Sequence, residues 1–273
     1  MFRFETRRTR VNGAFELLAL IFHATVRNVR KSHGNAVIGL LMNMMQTILM
    51  VVVFYVMFEL LNLRRTAIRG DFLLYVMSGI FLFMMHTKTV GAVAGSEGPT
   101  SPMMKHAPMN TIVAIASSAL AALYIQTLSA SLILFAYHAA FHPIHIHDPV
   151  ASLGFFLLSW FSGVGIGMVA LAAKPWAPEI VGIITTIYQR ANMIASGKMF
   201  VANMLPGSMV ALFDWNPLFH CIDQARGAMF LNYNPHYTSI SYPIYLGLVC
   251  LMIGLMGEFY TRRHASVSWG AGR

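Results

Sequence analysis

Charge is what this sequence has least of. Only 11% of its 273 residues are Asp, Glu, Lys or Arg, and just 10 are acidic. Soluble globular chains carry roughly 25% charged residues, so this composition argues against a cytosolic enzyme, a disordered chain or a coiled coil. Cysteine is nearly missing as well. Cys221 and Cys250 stand alone without CxxC spacing, which indicates neither a zinc site nor a disulfide framework. Two buried free thiols are expected, with one disulfide between them as the alternative. There is no phosphate-binding P-loop: Gly197-Lys198 lacks the glycine five positions earlier and the Ser or Thr that should follow. The nucleophile elbow GxSxG is absent around Ser78-Gly79 and Ser162-Gly163, and no acid dyad stands out at matched depth, which disfavours an intramembrane enzyme. The first thirty residues do not read as a signal peptide, because Glu16, Arg27 and Arg30 break up the apolar stretch behind the basic start.

What is present in excess is apolar. Hydrophobic residues make up 57% of the chain, and its mean hydropathy is +0.61. These values predict an all-α polytopic membrane protein. The net charge of +9 then reads as basic cytoplasmic ends rather than nucleic-acid binding.

Residues 1–35 are expected to form a cytoplasmic N-terminus. Within them, 12–30 carry Phe15, Leu18, Ile21, Phe22, Val26 and Val29 at roughly helical spacing, with Glu16, His23, Arg27 and Arg30 largely off that stripe. An amphipathic interfacial helix fits this pattern, the first turns of a long first span being the alternative. A transmembrane domain over 36–261 follows, with six spans expected at 36–61, 72–90, 111–141, 151–173, 180–196 and 240–260. Residues 91–108 are rich in Gly and Pro and cannot face lipid. Residues 200–237 hold apolar pieces too short to cross, read as short re-entrant helices before the last span. Residues 262–273 form a cytoplasmic tail.

Orientation comes from Lys and Arg. Thirteen fall on one side: Arg3, Arg7, Arg8, Arg10, Arg27, Arg30, Lys31, Lys88, Lys105, Lys174, Arg262, Arg263 and Arg273. Five fall on the other: Arg64, Arg65, Arg69, Lys198 and Arg226. Both termini are therefore expected in the cytoplasm.

Gly163 and Gly167 form a GxxxG pair, read as close helix packing rather than a dinucleotide fingerprint, since no strand precedes them. His142, His145, His147 and Asp148 read as a wet turn of interfacial histidines; a metal site is the alternative, though their spacing matches no zinc pattern. Trp160, Trp176 and Tyr260 read as belt residues at span ends. Arg190 falls inside a span, where a charge costs at least ~2.5–3.5 kcal/mol and must face protein or water. It either meets an anionic substrate or pairs within the bundle.

One block late in the chain resembles a known family. Met199-Phe200, Pro206, Asp214-Trp215-Asn216-Pro217-Leu218-Phe219-His220, then Arg226 and Tyr233, resemble the segment before the last helix of ABC-2 type permeases. The match is to the membrane subunits of capsule and related polysaccharide exporters. Pro108-Met109-Asn110-Thr111 resembles the family's Pro-x-Asp-Thr at the start of the third span, with Asn110 in place of the acid. The resemblance implies a homodimeric permease in a bacterial inner membrane, paired with a separate ABC ATPase that binds ATP and Mg, this chain holding no cofactor. A lipid-linked polysaccharide would be the substrate, with periplasmic and outer-membrane export proteins beyond. The cytoplasmic loop would couple to the ATPase through Glu97, Met103, Met104, Lys105 and His106. The re-entrant segment, with Trp215, Asn216, Pro217 and Arg226, would line the periplasmic exit. Polar and aromatic residues that let sugars slide are expected along the channel, with Gln46, Tyr188, Arg190 and Asn192 as candidates. An exporter of O-antigen, of a drug or of a lipid is the alternative.

Overall fold

The computed structural model describes residues 10–31, 35–60, 68, 70–98 and 110–264. Among them are nine α-helices, one short 3-10 turn at Ala202–Met204 and no strand. The helices are α1 (Arg10–Lys31), α2 (Ala36–Leu60), α3 (Phe72–Ala94), α4 (Thr111–Ala140), α5 (Pro149–Ala173), α6 (Pro178–Ala195), α7 (Gly207–Phe213), α8 (Pro217–Met229) and α9 (Ser241–His264). Five of them, α2, α3, α4, α5 and α9, are long and apolar enough to cross a membrane. The chain is thus a helical, multi-pass type of protein. The expected fifth span corresponds to α6. Its 18 residues include Glu179, Gln189, Arg190 and Asn192, and this polarity leaves it outside the five.

The hub of the bundle is α3, which packs against α2, α4, α5, α6 and α8. Its first turn is fixed by Asp71, whose Oδ1 accepts from the Leu73 and Leu74 amides at 2.9 and 3.4 Å. The other carboxylate oxygen accepts from Tyr137 Oη on α4 at 2.6 Å. One side chain therefore caps a helix and ties two helices together. The helix runs on to Ala94, past the end expected at residue 90, because Val90, Ala92, Val93 and Ala94 keep the helical run going through Gly91.

Glycines set the two tightest interfaces. A Cβ on Gly163 would lie 2.9 Å from the His86 carbonyl, and one on Gly167 2.8 Å from Val93 Cβ. The GxxxG pair therefore seats α5 on α3, as its spacing suggested. On the next face of α5, a Cβ on Gly165 would lie 2.7 Å from the Gly247 carbonyl, and one on Gly254 2.5 Å from Met168 Cβ. This brings α5 and α9 into backbone contact. The outer faces of α2 and α9 expose Leu41, Met45 and Leu49, and Tyr245, Met252 and Met256. Such surfaces suit contact with lipid.

The segment from α6 to α8 follows the hub in two pieces. The turn before α6 lies at the end of α3, where Lys174 Nζ donates to the Ala94 carbonyl at 3.4 Å. The chain reaches the middle of α3 just after α6 ends: Lys198 Nζ sits 3.6 Å from the centroid of Phe83, the midpoint of α3. From there α8 continues to the opposite end, where its Ala228 and Met229 carbonyls accept from the Asp148 and His147 amides at 2.8 and 3.1 Å. With 13 residues, α8 is about 20 Å long at ~1.5 Å per residue, too short to cross a ~30 Å hydrocarbon core alone. Most of its residues are buried, and it packs chiefly on α5 and α3.

Trp160 lies in the middle of α5 rather than at a span end, its indole N–H donating to the Ala119 carbonyl at 2.9 Å. Trp176 and Tyr260 do sit at helix ends and stack on each other. Both cysteines are free. His147 and Asp148 serve the α4–α5 turn, Asp148 capping α5 by accepting from the Ala151 amide at 2.9 Å. Among the described residues no group of three or more His, Cys, Asp or Glu side chains is placed to hold a metal ion.

Candidate functional site: a polar cavity among the first four helices

Small residues on three helices open a space inside the bundle. Gly39 on α2, Ala92 on α3, and Ala114, Ala121 and Ala122 on α4 leave a cavity of about 650 Å³. Its walls mix small and apolar side chains with a set of polar ones. Asn43 and Gln46 project from α2, Lys88 from α3, Ser117, Ser118 and Gln126 from α4, and Asn28 from α1. Polar groups in an apolar bundle are costly unless hydrogen-bonded, and these are. Gln126 Nε2 donates to Asn43 Oδ1 at 2.9 Å, and Asn43 Nδ2 donates to Ser129 Oγ at 2.9 Å. Asn28 Nδ2 donates to Ser117 Oγ at 3.0 Å and Ser118 Oγ at 3.3 Å, which fastens α1 to α4. Lys88 Nζ donates to Gln46 Oε1 at 2.7 Å across α3 and α2.

Two of the residues singled out in the sequence meet here. Gln46 and Glu97 both line this cavity, although one was expected to line a channel and the other to face an ATPase. Met103, Met104, Lys105 and His106 lie outside the described residues. The other channel candidates are elsewhere. Tyr188 Oη bonds His86 Nε2 at 2.8 Å on a different side of α3. The Ser159 carbonyl, 3.1 Å from His86 Nδ1, can only accept, so Nδ1 carries the proton and Nε2 accepts from the tyrosine. Ser162 Oγ is also 3.0 Å from Nδ1. That Ser–His contact is wholly buried, with both residues at 0% exposure. Asn192 is buried against Asn216. Arg190 is exposed, on the outward side of α6 beside Ile183, Ile187 and Ile194.

The expected exit residues divide. Trp215 is 54% exposed, its indole donating to the Leu212 carbonyl at 2.7 Å. Asn216 is buried and caps α8 by accepting from the Leu218 amide at 3.1 Å, and Pro217 occupies the first turn, where a missing N–H costs nothing. Arg226 is fully buried. Its guanidinium donates to the carbonyls of Gly197, Phe200 and Lys198 at 2.8, 2.6 and 2.6 Å, with the Tyr75 ring centroid 4.1 Å away. It clamps the turn between α6 and α7. Three residues before Arg226 on α8, the buried Asp223 accepts from Tyr233 Oη, from Thr238 Oγ1 at 2.8 Å and from the Ala202 amide at 3.3 Å. Burial, and then the Asp223 carboxylate, hold the Tyr233 phenol above its usual range.

Lys88, which the sequence counts among the charges of one membrane side, lies inside α3 and lines the cavity. The apolar run Val90–Ala94, interrupted only by Gly91, is the signal that the helix continues past it. A search against protein-family models found no match to the chain, and a search of curated proteins found no significant relative.

Proposed function

We propose that this chain is the permease subunit of an ABC exporter that moves a lipid-linked polysaccharide across a bacterial inner membrane, with ATP hydrolysed on a separate subunit. The observation that carries this reading is the cavity. A multi-pass bundle with a roomy space lined by amides, hydroxyls and a lysine suits a hydrophilic passenger, since polar walls replace the water a sugar leaves behind. The Asn216-Pro217 motif that prompted the family resemblance has a matching structural task, since it starts α8 in the middle of the bundle.

On this reading α6 and α8 act as one interrupted crossing, from the α5–α6 turn to the α4–α5 turn. Broken helices at membrane depth are tolerated where the freed backbone groups are met by protein, and the Arg226 clamp meets three of them. Five long helices and one interrupted crossing make six transits, with both termini cytoplasmic. Here α1 lies in the cytoplasmic interface, with Phe15, Leu18 and Phe22 exposed to it.

A second reading, export of a lipid or apolar drug, is favoured by a different cavity. About 770 Å³ between α2, α3 and α4 is lined by Ile48, Val52, Tyr55, Met77 and Ile133 among others. Deletion of the gene separates the two. Loss of polysaccharide from the surface of the deletion strain, with polymer accumulating inside, is the expected result, and in a strain complemented with a tagged copy an ATPase should co-purify with the chain. Normal surface polysaccharide in the deletion strain overturns the first reading.

A further inference from the structure

We infer that the polar cavity takes an oxyanion carried on a hydroxyl-bearing group, with Lys88 reading its charge. The inference deepens the export reading of the same cavity and rests on it for where the ligand comes from. Lys88 belongs to a membrane-crossing helix, where a cation is costly and marks a functional site by default. It is half-buried and faces the cavity. Its hydrogen-bond partner is the neutral Gln46 amide, so the ammonium charge is not cancelled by that contact. The charged residues along the lining are Arg27, Lys88 and Glu97, which leaves one net positive charge. The other polar groups, Asn28, Asn43, Gln126 and the serines, offer donors and acceptors in the mixture that hydroxyls present in return. The volume of about 650 Å³ falls within the range of small-ligand sites, roughly 300–1,000 Å³.

The oxyanion has two possible sources: the glycerophosphate headgroup of a membrane lipid, or an acidic or phosphorylated saccharide in water. The test uses the purified full chain in phosphatidylcholine nanodiscs. In one arm glucose 1-phosphate is titrated calorimetrically, with methyl glucoside as the neutral control. In the other, phosphatidylglycerol replaces part of the lipid, and lipid retained on the protein is counted by native mass spectrometry. Lys88→Gln is expected to weaken the anionic probe at least about tenfold, while Lys88→Arg retains it.

Gln46→Glu guards against misfolding, since it keeps the lysine and sets a carboxylate on its ammonium. It is expected to abolish anion binding with an unchanged melting temperature. Lys88-dependent glucose 1-phosphate binding assigns a saccharide source, and Lys88-dependent phosphatidylglycerol retention a lipid source. If neither anion binds, or binding is the same in Lys88→Gln and Gln46→Glu as in wild type, the inference is overturned. The assay needs neither ATPase nor polymer, so its failure is distinct from failure of the export reading, which the deletion strain reports.

Discussion

Asn216 reaches from the start of α8 to the end of α6, its Nδ2 donating to Asn192 Oδ1 at 2.9 Å and to the Ala195 carbonyl at 2.8 Å. The same side chain caps α8 through its Oδ1. Two helix ends inside the bundle therefore depend on one amide. Asn216→Leu removes the cap and strands the buried Asn192, a combined cost of about 2–4 kcal/mol. Asn216→Ser keeps a capping hydroxyl and loses the reach to α6. Thermal unfolding in detergent should rank wild type above Asn216→Ser, with Asn216→Leu lowest; equal melting of all three contradicts the tie.

Arg226 is held by three carbonyls. Arg226→Met leaves these acceptors unpaired inside the protein, where charge-assisted hydrogen bonds are worth about 1.5–3 kcal/mol each. Folded yield on size-exclusion chromatography should collapse. Arg226→Lys, which cannot span the fork, should recover only part of it. A monodisperse Arg226→Met protein at wild-type yield would count against the clamp.

Lys198 offers the opposite expectation. It is 3% exposed, and its Nζ has no hydrogen-bond partner among the described residues, lying between the Phe54 and Phe83 rings. An unpaired buried ammonium is costly, and replacing it by an apolar chain of similar length is neutral or stabilising. Lys198→Met is expected to raise the melting temperature by a few degrees; a clear fall would mean that the two aromatic faces outweigh the desolvation.

Gly167→Val should separate α5 from α3, because the nearest α3 atom to a new Cβ is Val93 Cβ at 2.8 Å. Overpacking of this kind costs about 1–3 kcal/mol. Gly154→Val, at a position with nothing within 4 Å of a Cβ, is the control and should be close to neutral. Matching losses at both positions would remove the packing explanation.

Topology is tested by labelling from outside the cell. With Cys221 and Cys250 replaced by alanine, Thr66→Cys should react with an impermeant maleimide in intact cells and Val11→Cys only after lysis. The reverse pattern would invert the orientation.

The helices were legible in the sequence because length and hydrophobicity decide them: α2, α4 and α9 begin and end within a few residues of where the apolar runs do. Depth was not legible. Lys198 and Arg226 were counted with an outer loop because they sit among prolines and polar residues, yet both are buried beside α3. Arg190, the charge that falls inside an expected span, faces outward from α6, whereas Lys88, which the sequence places only by its side of the membrane, lines the cavity. The cavity draws on segments from Arg27 to Gln126, so no local pattern announces it. Packing of α1 on α4 completes that wall, through Asn28 and the serines.

The Arg226 clamp also bears on how this protein can change over time. The guanidinium grips main-chain oxygens, which every amino acid possesses, so the clamp itself places no demand on the side chains of residues 198 and 200. Gly197 is different: its φ is +74°, and a Cβ there would fall 2.6 Å from the Phe219 ring. The clamp therefore asks related chains to keep one arginine and one glycine, leaving residues 198 and 200 to be constrained by their packing alone, a sparse signature of two positions far apart in the chain.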